Sequence, residues 1–331
     1  MIYDGEKPIM TRPNARLADG GRGLFLIVKT AMQQPRLDHV NCPHPEGAHR
    51  MAYWAWGDAT AAHTVVCVHG LTRQGRDFDR LAQALVARSA TPLRVICPDV
   101  AGRGRSEWLS AGAMYQIPQY ASDMLALLAQ LHAASPIAQL DWVGTSMGGL
   151  IGMVMAGQPG LPLPVPMRRL VLNDVGPSIS WASVEKMQQY AGRYGRYADL
   201  PEAAAALRAL SLGFGPVSDE VWLDLSSHMV RPLPEGGVTL HYDPAIGEPV
   251  RALTQEAAQA GEAMMWGLYD QIQAEVLVIR GQDSDLFLPP TAQAMTERGP
   301  RARVLEWAGI GHAPTLTAPE QINALADFLL R

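Results

Sequence analysis

Along this chain, short apolar runs of five or six residues alternate with longer stretches in which apolar residues recur every three to four positions. That rhythm predicts a mainly parallel sheet with crossover helices. The predicted strands are Met51–Trp56, Thr64–His69, Leu93–Pro98, Leu140–Thr145, Arg169–Asn173, Glu275–Arg280 and Ala302–Glu306. Helices are expected between and after them, over Asp77–Ser89, Tyr115–His132, Met147–Ala156, Pro290–Glu297 and Pro319–Leu330. In the last of these Ile322, Leu325, Phe328 and Leu329 share one face.

One interval breaks the rhythm. About a hundred residues separate the strand ending at Asn173 from the one starting at Glu275, far more than a crossover needs. An inserted cap over residues 176–273 is expected, with the core formed by residues 35–175 and 274–331. Within the cap the sequence predicts a helix over Glu202–Leu212, a break at Gly213-Phe214-Gly215-Pro216, a helix over Asp219–Met229 and a turn at Glu235-Gly236-Gly237. Residues 1–34 stand apart and are expected to form an N-terminal arm packed on the domain, or a partly disordered leader. Their apolar run Gly23-Leu24-Phe25-Leu26-Ile27-Val28 ends at Lys29, well short of the ~20 residues of a spanning helix.

Composition narrows the function classes. A hydrophobic share of 48% against 18% charged residues fits a folded globular protein. A net charge of −5 without a basic run argues against nucleic acid as a partner. The three cysteines, Cys42, Cys67 and Cys97, are widely spaced and read as reduced core residues. No ligand spacing of the C-x-x-C or H-E-x-x-H kind occurs, so no metal and no cofactor are expected. Without a signal peptide, a disulfide pattern or a spanning segment, a cytoplasmic protein with no stable membrane insertion is the expectation. The sequence leaves the oligomeric state open.

The chemistry is carried by Gly144-Thr145-Ser146-Met147-Gly148, which follows the strand Leu140–Thr145 and opens a helix. This is the G-x-S-x-G nucleophile elbow, in which a sharp strand-to-helix turn exposes the serine hydroxyl. Ser106, in Gly102-Arg103-Gly104-Arg105-Ser106, has no glycine two residues on and is read as part of a loop. A serine nucleophile needs a base within hydrogen-bond reach and a carboxylate to orient that base. His312 lies in the Gly-rich loop Ala308–Pro314 after the last strand, where an imidazole can swing over the sheet edge. Gly281-Gln282-Asp283-Ser284-Asp285 offers two carboxylates at a strand end, and Asp174 follows the preceding strand. Asp283, Asp285 and Asp174 therefore all stand as candidates for the acid. The oxyanion of an acyl-transfer intermediate would rest on the backbone amides of Leu71 and Met147. His69, which precedes the serine, is expected to brace its own loop.

Taken in order, Val68-His69-Gly70-Leu71-Thr72-Arg73, Asp99-Val100-Ala101-Gly102-Arg103-Gly104-Arg105-Ser106, Gly144 to Gly149, Arg280-Gly281 to Asp285 and Gly311-His312 resemble the α/β-hydrolase superfamily. The likeness covers about Arg36 to Arg331 and is to the branch with a mostly helical cap inserted after the sixth strand. It implies an α/β-hydrolase fold, with a mainly parallel central sheet flanked by helices, and a serine hydrolase related to carboxylesterases, enol-lactonases and meta-cleavage product hydrolases. Many relatives carry the acid three residues after the strand-end glycine, where this chain has Ser284. A sub-branch with Gly-x-x-Ser-Asp puts Asp285 ahead of Asp283 and Asp174.

The expected activity is acyl-enzyme cleavage of a carboxylic ester of a small to medium substrate. Lactone, thioester or carbon–carbon bond cleavage by the same residues, or ligand binding without turnover, remain alternatives. Substrate contacts are expected from Trp181, Met187, Trp222, His228, Trp266 and Tyr269 of the cap, set against a packing role for each. Arg73 could dock a substrate carboxylate or pair with Asp77 or Asp79.

Overall fold

The computed structural model describes residues 34–44 and 47–331. The expected arm over residues 1–34, with its apolar run, lies outside them except for its last residue. The chain first lays down β1 (Arg36–His44), β2 (Gly47–Gly57), β3 (His63–Val68), α1 (Asp79–Arg88), β4 (Leu93–Pro98), α2 (Ile117–Ala134), β5 (Gln139–Thr145), α3 (Met147–Gly157) and β6 (Met167–Asn173). The long interval then folds as α4 (Trp181–Tyr190), β7 (Arg196–Tyr197), α5 (Leu200–Leu210), α6 (Asp219–Ser227), β8 (Val230–Pro232), β9 (Val238–Leu240), α7 (Gly247–Ala252) and α8 (Gln255–Gln271). Two more strands, β10 (Glu275–Gly281) and β11 (Arg303–Trp307), alternate with α9 (Pro289–Glu297) and α10 (Pro319–Leu329).

Eight strands form one sheet in the order β1-β2-β4-β3-β5-β6-β10-β11. The pairs β1–β2 and β2–β4 are antiparallel and the rest are parallel. The central strands bury both faces. In β3, Val65 and Cys67 enter the apolar layer shared with Leu81 and Leu85 of α1 and Leu325 and Phe328 of α10. Val66 and Val68 enter the opposite layer, with Met124 and Leu127 of α2 and Ile151 of α3. This two-sided burial is why the strand reads as a continuous apolar run rather than an alternation.

The edge strand β1 is absent from the sequence reading for the converse reason. Among its residues only Val40 and Cys42 are buried, and the others are exposed or half-exposed. So few inward residues leave a weak periodic signal.

The interval is less uniform than a mostly helical cap. β7, β9 and β8 form a small antiparallel sheet, with Gly236 and Gly237 at φ 94° and 75° in the turn that the sequence placed there. Its last helix, α8, packs along α3. No helix of the described residues is long and apolar enough to cross a membrane.

The strand order sets the location of chemistry. From β3 the chain crosses to β4 on one side and then returns past β3 to β5 on the other. Loops at the C-terminal ends of β3 and β5 therefore diverge and open a crevice, the usual ligand position in such sheets.

Candidate active site

Ser146 occupies that crevice. It stands between β5 and α3 with φ 52° and ψ −115°, a conformation that a side chain other than glycine's holds only when its surroundings enforce it. They do so through close backbone approach. A Cβ on Gly144 would fall 2.2 Å from the Gly148 carbonyl oxygen, and one on Gly148 would fall 2.0 Å from that of Val68. Both flanking glycines of the elbow are thus sterically required. The Ser146 amide donates to Asn173 O at 3.0 Å and the indole of Trp142 donates to Gly148 O at 3.0 Å, which pins the turn from both sides.

His312 meets the serine from the loop after β11. Its Nε2 lies 2.9 Å from Ser146 Oγ, and its Nδ1 lies 2.7 Å from Asp174 Oδ2. A carboxylate only accepts, so Nδ1 donates to Asp174, and Nε2 is left to accept the serine proton.

The acid on the imidazole is therefore Asp174, not the favoured Asp285. Register explains the placement. Thr145 of β5 lies opposite Asn173 of β6, and Asn173 lies opposite Ile279 of β10. Ser146 and Asp174 thus leave adjacent strands at the same level. Asp174 is fully buried, and its carboxylate accepts from the Gly281 amide at 2.8 Å and the Ser284 hydroxyl at 2.6 Å as well as from His312. Ser284 fills the position at which many relatives carry the acid, and here it holds the acid of the neighbouring strand. Asp285 instead faces outward to Lys186 Nζ at 2.5 Å, and this ammonium holds its carboxyl below the usual range. Asp283 is exposed.

The elements that carry the two expected oxyanion donors flank the serine. Met147 begins α3, so its amide belongs to the first turn, where no intrahelical acceptor exists. On the other side of the crevice the β3 loop is close enough that a Cβ on Gly70 would lie 3.7 Å from Ser146 Cβ. His69 braces this loop as expected. Its Nε2 accepts from the Val100 amide at 2.9 Å and its Nδ1 donates to Gly70 O at 2.7 Å. Burial, with Arg103 and Arg73 nearby, pushes this imidazole down to about 3, so it is neutral and cannot serve as a second acid–base group near pH 7.

A cavity beside the triad is lined by His69, Arg73, Thr145, Phe214, Leu225 and Ala313, among others. Arg73 reaches it, but its fork is taken by Asp77, with Nε to Oδ2 at 2.6 Å and Nη2 to Oδ1 at 2.7 Å. The pairing reading of Arg73 therefore holds over docking of a substrate carboxylate. None of the six cap residues expected at the substrate lines this cavity. Trp222 and Tyr269 are packing residues, each buried with its polar group on a backbone carbonyl, those of Ala204 and Met295. Trp266 bonds to Ser178 Oγ, and Met187 is a half-buried packing residue. Trp181 lines a separate apolar cavity of about 780 Å³ against α2, α3 and α8, and His228 lines a polar one of about 250 Å³.

Phe214 was missed because the Gly213–Pro216 segment reads only as a break between helices. Arg73 lies over its ring at 5.6 Å, and the Gly311 amide donates to Gly213 O at 2.7 Å, so the segment between β6 and β10 touches the loop of His312 directly. Asn173 was also missed. Its Nδ2 ties Thr145 Oγ1 to Pro314 O, at 3.0 and 2.9 Å, joining the elbow to the histidine loop. Neither residue belongs to a motif that spacing could reveal.

One trio among the described residues, Cys42, His49 and Asp123, brings possible metal-ligand atoms within 4.8 Å of one another. It lies on β1, β2 and α2, away from the serine. Within it His49 Nε2 pairs with Asp123 Oδ2 at 3.1 Å, and burial pushes the Cys42 thiol up.

Known proteins resemble the chain over nearly all of this architecture. Residues 65–325 match the profile of the alpha/beta hydrolase family. A 3-hydroxybutyrate-oligomer hydrolase of Cupriavidus necator is 45% identical over 299 residues, covering 89% of this chain and 97% of that protein. Among solved structures, an alpha/beta hydrolase from Novosphingobium aromaticivorans has a TM-score of 0.76 at 32% identity, covering 90% of this chain and 99% of that one. A Rickettsia typhi protein has a TM-score of 0.77 at 28% identity with the same coverage. A profile match over most of its length, with a relative of this identity, shows that the chain belongs to the alpha/beta hydrolase family and is a hydrolase of ester bonds.

Proposed function

We propose that the chain is a serine hydrolase that cleaves short oligoesters of 3-hydroxybutyrate. The observation that carries the serine mechanism is the continuous hydrogen-bond chain from Ser146 Oγ through His312 to Asp174. The substrate class comes from the 45% identical relative, which is a 3-hydroxybutyrate-oligomer hydrolase. An oligomer of a hydroxy acid is joined by carboxylic esters, the bond that such a triad attacks.

In this reading His312 Nε2 removes the Ser146 proton as Oγ adds to the ester carbonyl. The negative charge on the carbonyl oxygen is held by the amides of Leu71 and Met147. Collapse expels the alcohol, which takes its proton from His312 and leaves an acyl-Ser146. A water molecule, deprotonated by the same imidazole, then releases the acid and regenerates the hydroxyl. Asp174 keeps the proton on Nδ1 throughout and stabilises the imidazolium without taking the proton itself.

The test is hydrolysis of 3-hydroxybutyrate dimer and trimer, followed by release of 3-hydroxybutyrate, alongside a p-nitrophenyl ester series. Ser146→Ala is expected to lower turnover of both by about 10⁴-fold or more. Loss on p-nitrophenyl esters with no native activity on the oligomers would reject the substrate class and leave the serine mechanism standing.

A further inference from the structure

Arg103 is fully buried in the loop after β4. A guanidinium keeps its charge under all ordinary conditions, and a buried charge is normally matched by a carboxylate. Among the described residues, Arg103 has no such partner. Its Nε donates to Leu71 O at 2.9 Å, and its Nη1 to Ala101 O at 2.7 Å and to Tyr120 Oη at 2.9 Å. Its Nη2 faces Met147 Sδ at 3.7 Å. The rings of Tyr120 and Tyr115 lie 5.1 and 5.6 Å from its central carbon, and burial pushes both phenols up, which keeps them neutral. Every group that bonds to the guanidinium is thus uncharged, and the carboxylate of Asp243 stands one contact further out, accepting from Tyr115 Oη at 2.6 Å.

Two of those contacts fall on Leu71 and Met147, the residues whose amides flank Ser146. A cation that grips both and bonds directly to no anion leaves positive potential on the crevice side.

We propose that Arg103 is a positioning residue for the oxyanion: it clamps the Leu71 turn to Met147 and supplies positive charge, bonded to no carboxylate, behind their amides. This rests on the reading of those two amides as the oxyanion donors. A neutral ester carbonyl gains little from such a charge, whereas the anionic tetrahedral state gains fully, so the effect belongs in kcat rather than KM.

The experiment compares Arg103→Met, Arg103→Lys and Tyr120→Glu in the full chain with p-nitrophenyl butyrate. Thermal unfolding and inhibition by butylboronic acid, which forms an anionic tetrahedral adduct on a serine, are measured in parallel. Arg103→Met is expected to lower kcat about 10- to 100-fold, less than loss of a direct donor, with KM within about threefold and boronate affinity down by a similar factor. Arg103→Lys keeps the charge without the fork and should stay within about fivefold of the native kcat. Tyr120→Glu leaves the fork in place but sets a carboxylate against it, and should lower kcat and boronate affinity even where Arg103→Met fails to fold. Equal losses in the Lys and Met variants, or native kcat and boronate affinity in a folded Met or Glu variant, would overturn the proposal. Ser146→Ala run beside them separates the two readings, since turnover surviving that change refutes the nucleophile and not Arg103 alone.

Discussion

The C-terminal ends of β6 and β10 lie side by side, and each offers a carboxylate within a few residues of the last sheet bond. At β6, Asp174 is fully buried and three donors converge on it, one amide, one hydroxyl and one imidazole. At β10, Asp285 is exposed and pairs with Lys186 across open solvent. Exposed pairs of this kind contribute about 0–1 kcal/mol and leave the carboxylate free to reorient. A carboxylate that must hold a ring in one tautomer needs fixed geometry and exclusion of water, and only the β6 end supplies both. The β10 end contributes a hydroxyl and an amide to that cradle instead.

This contrast predicts large differences between substitutions at the two ends. Asp174→Asn should lower kcat by about 10³–10⁴-fold, because an amide facing Nδ1 favours the wrong imidazole tautomer. Asp285→Asn should stay within about twofold, and steady-state kinetics on one ester ranks the pair directly. A reversed ranking would return the acid to the β10 end. Moving the charge is a stricter test. The double variant Asp174→Asn with Ser284→Asp is expected to recover about tenfold or more over Asp174→Asn alone, since position 284 already lies within hydrogen-bond distance of the cradle. Ser284→Ala alone should cost about tenfold in kcat, because the carboxylate keeps the Gly281 amide but loses one charge-assisted bond.

A smaller effect is expected where the segment between β6 and β10 meets the histidine loop. A Cβ at Gly213 would lie 2.9 Å from His312 O and 3.0 Å from His312 N. Gly213→Ala should therefore slow turnover severalfold, with a change in melting temperature too small to account for it. No change in kcat would show that the loop yields freely.

The weakest signal is in stability. The His69 ring is held near a pKa of about 3 in the fold, below the ~6.5 of an unfolded chain. The unfolded state therefore binds its proton first. The stability from the neutral ring is complete above pH 6.5 and is lost as pH falls toward 3, with a slope of at most about 1.4 kcal/mol per pH unit. Urea unfolding between pH 7 and pH 5 should show a shallower slope in His69→Asn than in the native chain. Equal slopes would remove His69 from the acid response.

How much of this was legible follows from how local each signal is. The buried strands, the elbow and the order of serine before histidine are written in residues close together in the chain. Edge strand β1 was lost because its outward residues are mostly polar and only two residues are buried. Phe214 and Asn173 belong to no local pattern, and Arg103, though inside the Asp99–Ser106 motif, shows no role there; their roles come from distant partners in contacts such as Arg103–Leu71 and Asn173–Pro314, 32 and 141 positions apart.

The sequence alone determined that this chain forms a mainly parallel sheet buried on both faces, that Ser146 stands on a strand-to-helix turn, and that His312 follows the last strand. Hydrophobic periodicity and glycine sterics act within a few residues, so they are readable there. Only the tertiary structure decided which acid completes the site. That choice depends on β6 pairing between β5 and β10 in a register that aligns Thr145, Asn173 and Ile279. It depends also on the burial that strips water from Asp174 and leaves Asp285 wet, and neither strand pairing nor desolvation is a property of any short stretch of chain.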